Sequence, residues 1–124
     1  RELHLRAATE LESESPDRVY ELAYHFDEAG ESKRALPYAL AAAKDARFHH
    51  ALEIAEEQYR IAERCSPKDR TVRYQVAEGL GDVLMLRGRY EEAARKTETA
   101  RELADEDLAR AQTEGKLGEL AFKQ

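Results

Sequence analysis

Residues 80–104 read LGDVLMLRGRYEEAARKTETARELA, and this stretch predicts the fold of the whole chain. Its first half repeats apolar residues at helical spacing, so that they share one helical face: Leu80, Val83, Leu84 and Leu86. Gly88 then stands where a helix end in the left-handed region is least costly for glycine. A second face of mainly small residues begins directly afterwards: Tyr90, Ala93, Ala94, Ala100 and Leu103. A tight turn between two such segments predicts a pair of antiparallel helices.

The same stretch carries a family resemblance. Gly81 removes a side chain where a second helix can approach closely. The order Leu-Gly, a large apolar residue, Gly and then Ala resembles the consensus of the tetratricopeptide repeat in Leu80, Gly81, Leu84, Gly88 and Ala93. The resemblance implies a right-handed α-solenoid of antiparallel helix pairs that acts by binding a partner.

The composition favours amphipathic helices throughout. Of the 124 residues, 42% are apolar and 37% charged, with Ala, Leu, Glu and Arg abundant and β-branched residues scarce. This length can bury one modest core or a few stacked repeats. We therefore expect a single all-α domain of about seven helices.

Apolar periodicity and turn residues divide the chain into repeats. We predict a leading helix over residues 1–14 and helical units over residues 16–47, 32–66 and 68–104, with the helix of residues 32–47 shared between two units. Residues 106–124 are predicted to form the first half of a truncated repeat, whose apolar face could pair with a second copy of the chain as a homodimer. Ser15 and Pro16 are expected to open the second helix, and Pro67 and Asp69 to start the fifth, which should run from about Lys68 to Arg87.

Charge and cysteine content disfavour several classes of partner and location. The net charge of -6 argues against a binder of duplex nucleic acid, which needs a basic stripe. Because Cys65 is the only cysteine, no intramolecular disulfide is possible, and a reducing cytoplasmic setting is the simpler expectation. No apolar run approaches the length of a membrane span, so no membrane association is expected.

Catalytic and metal-binding patterns are weak in this sequence. His49 and His50 are adjacent and so lie on different sides of a helix, while His4 and His25 have no His or Cys one helical turn away. The glycines are dispersed and form no phosphate-binding loop. Carboxylates alternate with Arg and Lys, which is typical of solvated helix faces. We expect no metal site, no cofactor and no catalysis in this chain.

The repeat resemblance also implies a concave groove, lined mainly by the first helix of each unit. The positions carried over to this groove are Tyr20, Tyr24, Asp27, Leu40, Lys44, Arg47, Glu78, Asp82 and Met85. Tyr20 and Tyr24 lie one turn apart and suit the binding of a peptide or another domain; ordinary packing between helices is the other interpretation of both. The acidic positions favour a basic partner, although Lys44 and Arg47 offset them in part.

A narrower resemblance covers the first part of the chain. The segments LHLRAATELE (residues 3–12) and ELAYHFDEAGESKRALPYALAAAKDA (residues 21–46) resemble the region after the ATPase core of bacterial STAND-type signalling ATPases. These include nucleotide-cyclase-like ATPases and LuxR- or MalT-like transcription regulators. The resemblance implies a regulatory scaffold that binds a protein or peptide partner, or another domain of the same protein. A free-standing adaptor that binds a partner peptide and a helical enzyme domain are the alternatives.

Overall fold

The computed structural model describes residues 1–65 and 68–113, with side chains as far as Glu106. These residues form six α-helices and no strand: α1 Glu2–Glu14, α2 Val19–Glu28, α3 Ser32–Phe48, α4 Leu52–Arg64, α5 Arg70–Leu86 and α6 Tyr90–Thr113. The predicted all-α class is confirmed. None of the described helices combines the length and the apolarity that crossing a membrane requires.

Three of the helix connections are tight turns with the same geometry. In each, a backbone N–H donates to the carbonyl five residues earlier at 2.8–2.9 Å, within residues 26–31, 46–51 and 84–89. One residue of each turn has positive φ: Gly30 (76°), His50 (60°) and Gly88 (81°). This pattern is the Schellman helix end, which reverses the chain sharply. The helices on either side of each turn are therefore antiparallel neighbours.

Helix α3 packs against both α2 and α4. Its buried face consists entirely of alanine: Ala35, Ala39, Ala42, Ala43 and Ala46. Such small side chains let the neighbouring helices approach closely while still filling the interior. The helix that was expected to belong to two units is therefore in contact with a helix on each side.

Ion pairs connect alternate helices in two sets. One set links α1 to α3 and α3 to α5, through Arg34–Glu12 at 2.7 Å and Arg47–Glu78 at 3.0 Å. The other links α2 to α4 and α4 to α6, through Arg64–Asp27 at 2.9 Å and Arg60–Glu92 at 3.0 Å. Ion pairs therefore link the odd-numbered helices to one another and, separately, the even-numbered helices to one another.

Two predicted helix boundaries are wrong. Helix α6 is continuous over Tyr90–Thr113, so the seventh helix expected to begin at residue 106 does not start there. The reason is local, because residues 101–106 are good helix formers with no Gly or Pro among them. Residues 114–124, the remainder of the predicted half-repeat, lie outside the described residues. Helix α2 begins at Val19 instead of Pro16, because Ser15 ends α1 by donating its N–H to the carbonyl of Leu11 at 2.7 Å.

Helix α5 begins at Arg70, two residues after the expected start near Lys68. The carboxylate of Asp69 accepts hydrogen bonds from the backbone N–H groups of Thr71 and Val72, at 2.8 and 3.3 Å. These two groups lack partners inside the helix, so the aspartate caps it. This cap fixes the start of the helix that carries most of the candidate site.

Candidate functional site

Arg47 joins α3 to α5 through two carboxylates. Its guanidinium donates to both oxygens of Glu78 at 3.0 and 3.1 Å, and its Nε donates to Asp82 Oδ2 at 3.1 Å. Glu78 and Asp82 lie one helical turn apart, so both face the same cation. Hydrogen bonding to Glu78, supported by the Tyr59 hydroxyl and the charge of Asp82, raises the pKa of Arg47 against the opposing effect of its partial burial. The guanidinium therefore stays charged and holds the two helices together.

Two depressions flank this ion cluster, one on each side of α5. The depression between α3 and α5 has a volume of about 500 Å³ and is lined by Lys44, Arg47, Phe48, Tyr59, Gln75 and Glu78. The depression between α5 and α6 has a volume of about 350 Å³ and is lined by Tyr74, Glu78, Gly81, Asp82, Met85, Thr97, Ala100, Arg101 and Ala104. Glu78 lines both, so the two adjoin. We call these two depressions together the α5 surface.

Large apolar side chains stand exposed around the α5 surface. Phe48 is 85% exposed, Met85 48% and Tyr74 38%. Gly81 shapes the floor of the second depression, because a Cβ at this position would lie 2.9 Å from the Thr97 hydroxyl. The absence of that Cβ lets α6 come close to α5, as expected for this glycine. The result is a set of exposed apolar side chains beside a paired ion cluster, and grouped apolar side chains of this kind mark a candidate contact surface.

The structure brings five of the nine predicted groove residues together on the α5 surface: Lys44, Arg47, Glu78, Asp82 and Met85. Two others, Tyr20 and Leu40, are half-buried and pack against the neighbouring core cluster. The Tyr20 hydroxyl donates to Asp45 Oδ2 at 2.7 Å. Burial, and then the bond to this carboxylate, raises the pKa of Tyr20 to about 12. These contacts match the interpretation of Tyr20 as packing between helices.

The last two predicted residues, Tyr24 and Asp27, lie away from the α5 surface. Both are on α2, which contacts α1, α3 and α4 but not α5 within the described residues. Asp27 forms its ion pair with Arg64 of α4 at 2.9 Å. Tyr24 is half-exposed beside two histidine rings. The groove expected from the repeat pattern is therefore divided between different parts of the surface.

The exposed residues Tyr74 and Phe48 of the α5 surface were not among the predicted groove positions. Tyr74 precedes Glu78 and Asp82 at intervals of four residues, so helical spacing alone places all three on one face of α5. Phe48 follows Lys44 by one turn on α3 and shares its face in the same way. Helical spacing therefore carries a signal for both residues, although neither is among the positions implied by the repeat resemblance.

A second charged cluster ties α4 to the turn between α5 and α6. The carboxylate of Glu56 has a side-chain exposure of 9% and accepts hydrogen bonds from three arginines: Arg60 at 3.0 Å, Arg87 at 2.9 Å and Arg89 at 3.1 Å. Both oxygens are occupied by these bonds. Burying a carboxylate is tolerated when paired, hydrogen-bonded cations surround it, as these arginines do here. We therefore infer that Glu56 stabilises the fold by holding α4 against the turn between α5 and α6.

Comparison of the chain with protein-family models, with curated proteins and with solved structures finds no match. The resemblances to tetratricopeptide repeats and to signalling ATPases therefore stay predictions from the residues quoted above.

Proposed function

We propose that this chain is an interaction module built as a right-handed solenoid of the tetratricopeptide kind, and that it binds an amphipathic segment of a partner protein on its α5 surface. In this proposal it has no catalysis of its own and does not contact nucleic acid. It serves as a regulatory scaffold in a larger cytoplasmic signalling or transcription-regulating ATPase of bacteria. The partner is a separate protein or peptide, or another domain of the same protein.

The observation that carries the proposal is the exposure of Phe48, Tyr74 and Met85 around the Arg47 ion cluster. Large aromatic and methionine side chains are the ones that contribute most to binding when a partner buries them. Here they surround two depressions of about 500 and 350 Å³. Depressions of this size can each accept one or two side chains of a partner segment.

The charges on the α5 surface influence which kind of partner segment can bind there. Glu78 and Asp82 already share Arg47, so they attract a basic partner less strongly than two free carboxylates would. Apolar anchors therefore supply most of the affinity, and the charged groups fix the orientation. An amphipathic helix with apolar residues at spacings of three and four meets both demands.

Selection from a random displayed-peptide library tests this proposal. Peptides are selected on the wild type and then measured on a triple variant, Phe48→Ser with Tyr74→Ser and Met85→Ser. A matched control is the double variant Leu3→Ser with Ile54→Ser, which removes exposed apolar residues (79% and 44% exposed) from α1 and α4. We expect binding to be lost with the triple variant and kept with the control. Equal binding to all three proteins contradicts the proposal.

The place of the module in a larger ATPase has a separate test. If a nucleotide-binding core is encoded in the same reading frame, the purified core should bind the purified module with an affinity that the triple variant lowers. A stop codon shortly after residue 124, with no such core upstream, contradicts this part of the proposal and leaves the free-standing adaptor.

A further inference from the structure

Two histidines that are far apart in the sequence meet between α1 and α2. Nδ1 of His4, near the start of α1, lies 3.0 Å from Nδ1 of His25, in the last turn of α2. Their ring centroids are 5.2 Å apart with the planes tilted by 35°. Both side chains are half-buried and thus remain reachable from solvent. The sequence did not suggest this pair, because neither histidine has another His or Cys one turn away on its own helix.

The neighbouring groups hold the pair in place. The ring of Tyr24 lies edge-on to both imidazoles, with centroids 5.6 Å from His4 and 5.1 Å from His25. Arg1 Nε donates to the carbonyl of Ala29 at 2.6 Å, which ties the beginning of α1 to the end of α2. The two nitrogen atoms are therefore positioned by contacts that do not depend on their mutual hydrogen bond.

We propose that His4 and His25 form a binding site for a divalent metal ion that prefers imidazole ligands, with Zn²⁺ as the representative ion. A zinc ion binds imidazole nitrogen at about 2.0–2.1 Å, so two such ligands at a tetrahedral ion lie about 3.3 Å apart. To reach this distance the two Nδ1 atoms, now 3.0 Å apart, separate by about 0.3 Å, and both rings turn so that their lone pairs point at an ion to one side of the line between them. The shared hydrogen bond is lost, and the ring that carried its proton becomes the tautomer protonated at Nε2.

The site has two protein ligands and is open. Among the described residues, no group of three or more His, Cys, Asp or Glu side chains converges on one point. Water therefore completes the coordination of the ion, and the ion exchanges more readily than one held by four protein ligands. The effect on the protein is to fasten α1 to α2. Ala8 is the one fully buried residue of α1, with Leu5 and Leu11 half-buried around it, so an ion that fastens α1 to α2 adds to a modest apolar contact.

Nuclear magnetic resonance of the histidine rings provides the test. Zn²⁺ alone is titrated into the Cys65→Ser protein, which removes the thiol as a competing ligand. The proposal predicts that the ring protons of His4 and His25 shift together and saturate at one ion per chain. The remaining histidines serve as an internal control, because His49 and His50 are adjacent and His49 Nδ1 lies 2.8 Å from the carbonyl oxygen of Asp45. Shifts at all four histidines, or at none, overturn the proposal.

Histidine variants show whether Zn²⁺ binds at the His4–His25 pair or at any exposed histidine. With Zn²⁺ at ten times its dissociation constant, we expect the midpoint of thermal unfolding to rise by about 4 °C in the Cys65→Ser protein. The rise should disappear in His4→Gln and His25→Gln and persist in the double variant His49→Gln with His50→Gln. The rise should also vanish at acidic pH, because a protonated imidazole cannot bind the ion. An equal rise in all variants overturns the proposal, and circular dichroism confirms that each variant is folded.

Discussion

The ring of Tyr59 occupies the space next to Gly79. A Cβ on residue 79 would lie 2.2 Å from Cζ and 2.5 Å from the hydroxyl oxygen of this tyrosine. Tyr59 is only 1% exposed, so its ring has little room to move aside. Gly79 therefore allows a large α4 side chain to fill the space beneath the α5 surface.

The first prediction concerns this contact. Gly79→Ala should destabilise the protein by about 1–3 kcal/mol, because overpacking of a buried ring outweighs the gain of about 1 kcal/mol in helix propensity. Chemical denaturation monitored by circular dichroism measures the change. Gly81→Ala is the matched control and should cost less, since the atom it approaches is the rotatable hydroxyl of Thr97 at 2.9 Å. A Gly79→Ala protein as stable as the wild type contradicts the account of this packing.

The second prediction concerns the turn between α3 and α4. His50 has a φ of 60°, a conformation in which a side chain is strained, whereas the equivalent turn after α5 has Gly88 at 81°. His50→Gly should therefore raise the free energy of unfolding by about 0.5–1 kcal/mol, after allowance for the greater entropy of glycine in the unfolded chain. The reciprocal variant Gly88→His should lower it by a similar amount. If both variants shift stability in the same direction, the two turns are not equivalent.

The third prediction concerns the buried carboxylate of Glu56. Glu56→Gln keeps the size of the side chain but leaves three arginines without their shared charge. We expect a loss of about 1–3 kcal/mol in unfolding free energy. Glu91→Gln is the control, because Glu91 lies on the exposed side of α6 and its replacement should have little effect. Equal stabilities for the two variants would show that the cluster contributes nothing.

The fourth prediction concerns how the stability of the protein changes at acidic pH. A hydrogen bond from Tyr38, and then one from Arg34, holds the pKa of Glu12 below its usual value of 4.5. Because the folded state favours the ionised carboxylate, its stabilising contribution is present above pH 4.5 and is lost as the pH falls through the lowered pKa.

Denaturant titrations at a series of pH values measure this contribution. The unfolding free energy of the wild type should fall more steeply below pH 4.5 than that of Glu12→Gln. The exposed Glu14→Gln protein should behave as the wild type does. Parallel curves for the wild type and Glu12→Gln would show that these hydrogen bonds do not favour the charged form.

Local patterns in the sequence were sufficient for much of the fold. The close approach at Gly81, the tight turn at Gly88 and the start of α5 next to Asp69 all depend on residues near one another in the chain. The end of α3 near Arg47 was expected, but the positive φ of His50 was not, because histidine there adopts a conformation usually left to glycine. The end of α5 and the start of α6 were found, but continuous helix formers extended α6 beyond the expected boundary.

The candidate site was harder to predict from the sequence, because it depends on which helices pack against one another. Consensus positions placed Tyr24 and Asp27 with the other groove residues, whereas Asp27 pairs with α4 and Tyr24 lies beside α1. The His4–His25 pair involves residues on different helices, and no spacing rule within one helix could predict it. Phe48 and Tyr74 could have been found from helical spacing on α3 and α5.

The most direct test of the central claim is to map where a partner segment binds. A peptide selected on the wild type is added to isotope-labelled protein, and the changes in backbone amide resonances are followed by nuclear magnetic resonance. The account predicts that the largest changes cluster at residues lining the two depressions beside Glu78, on α3, α5 and α6. Changes that cluster instead on α1 and α4, with the residues around Glu78 unaffected, would contradict it.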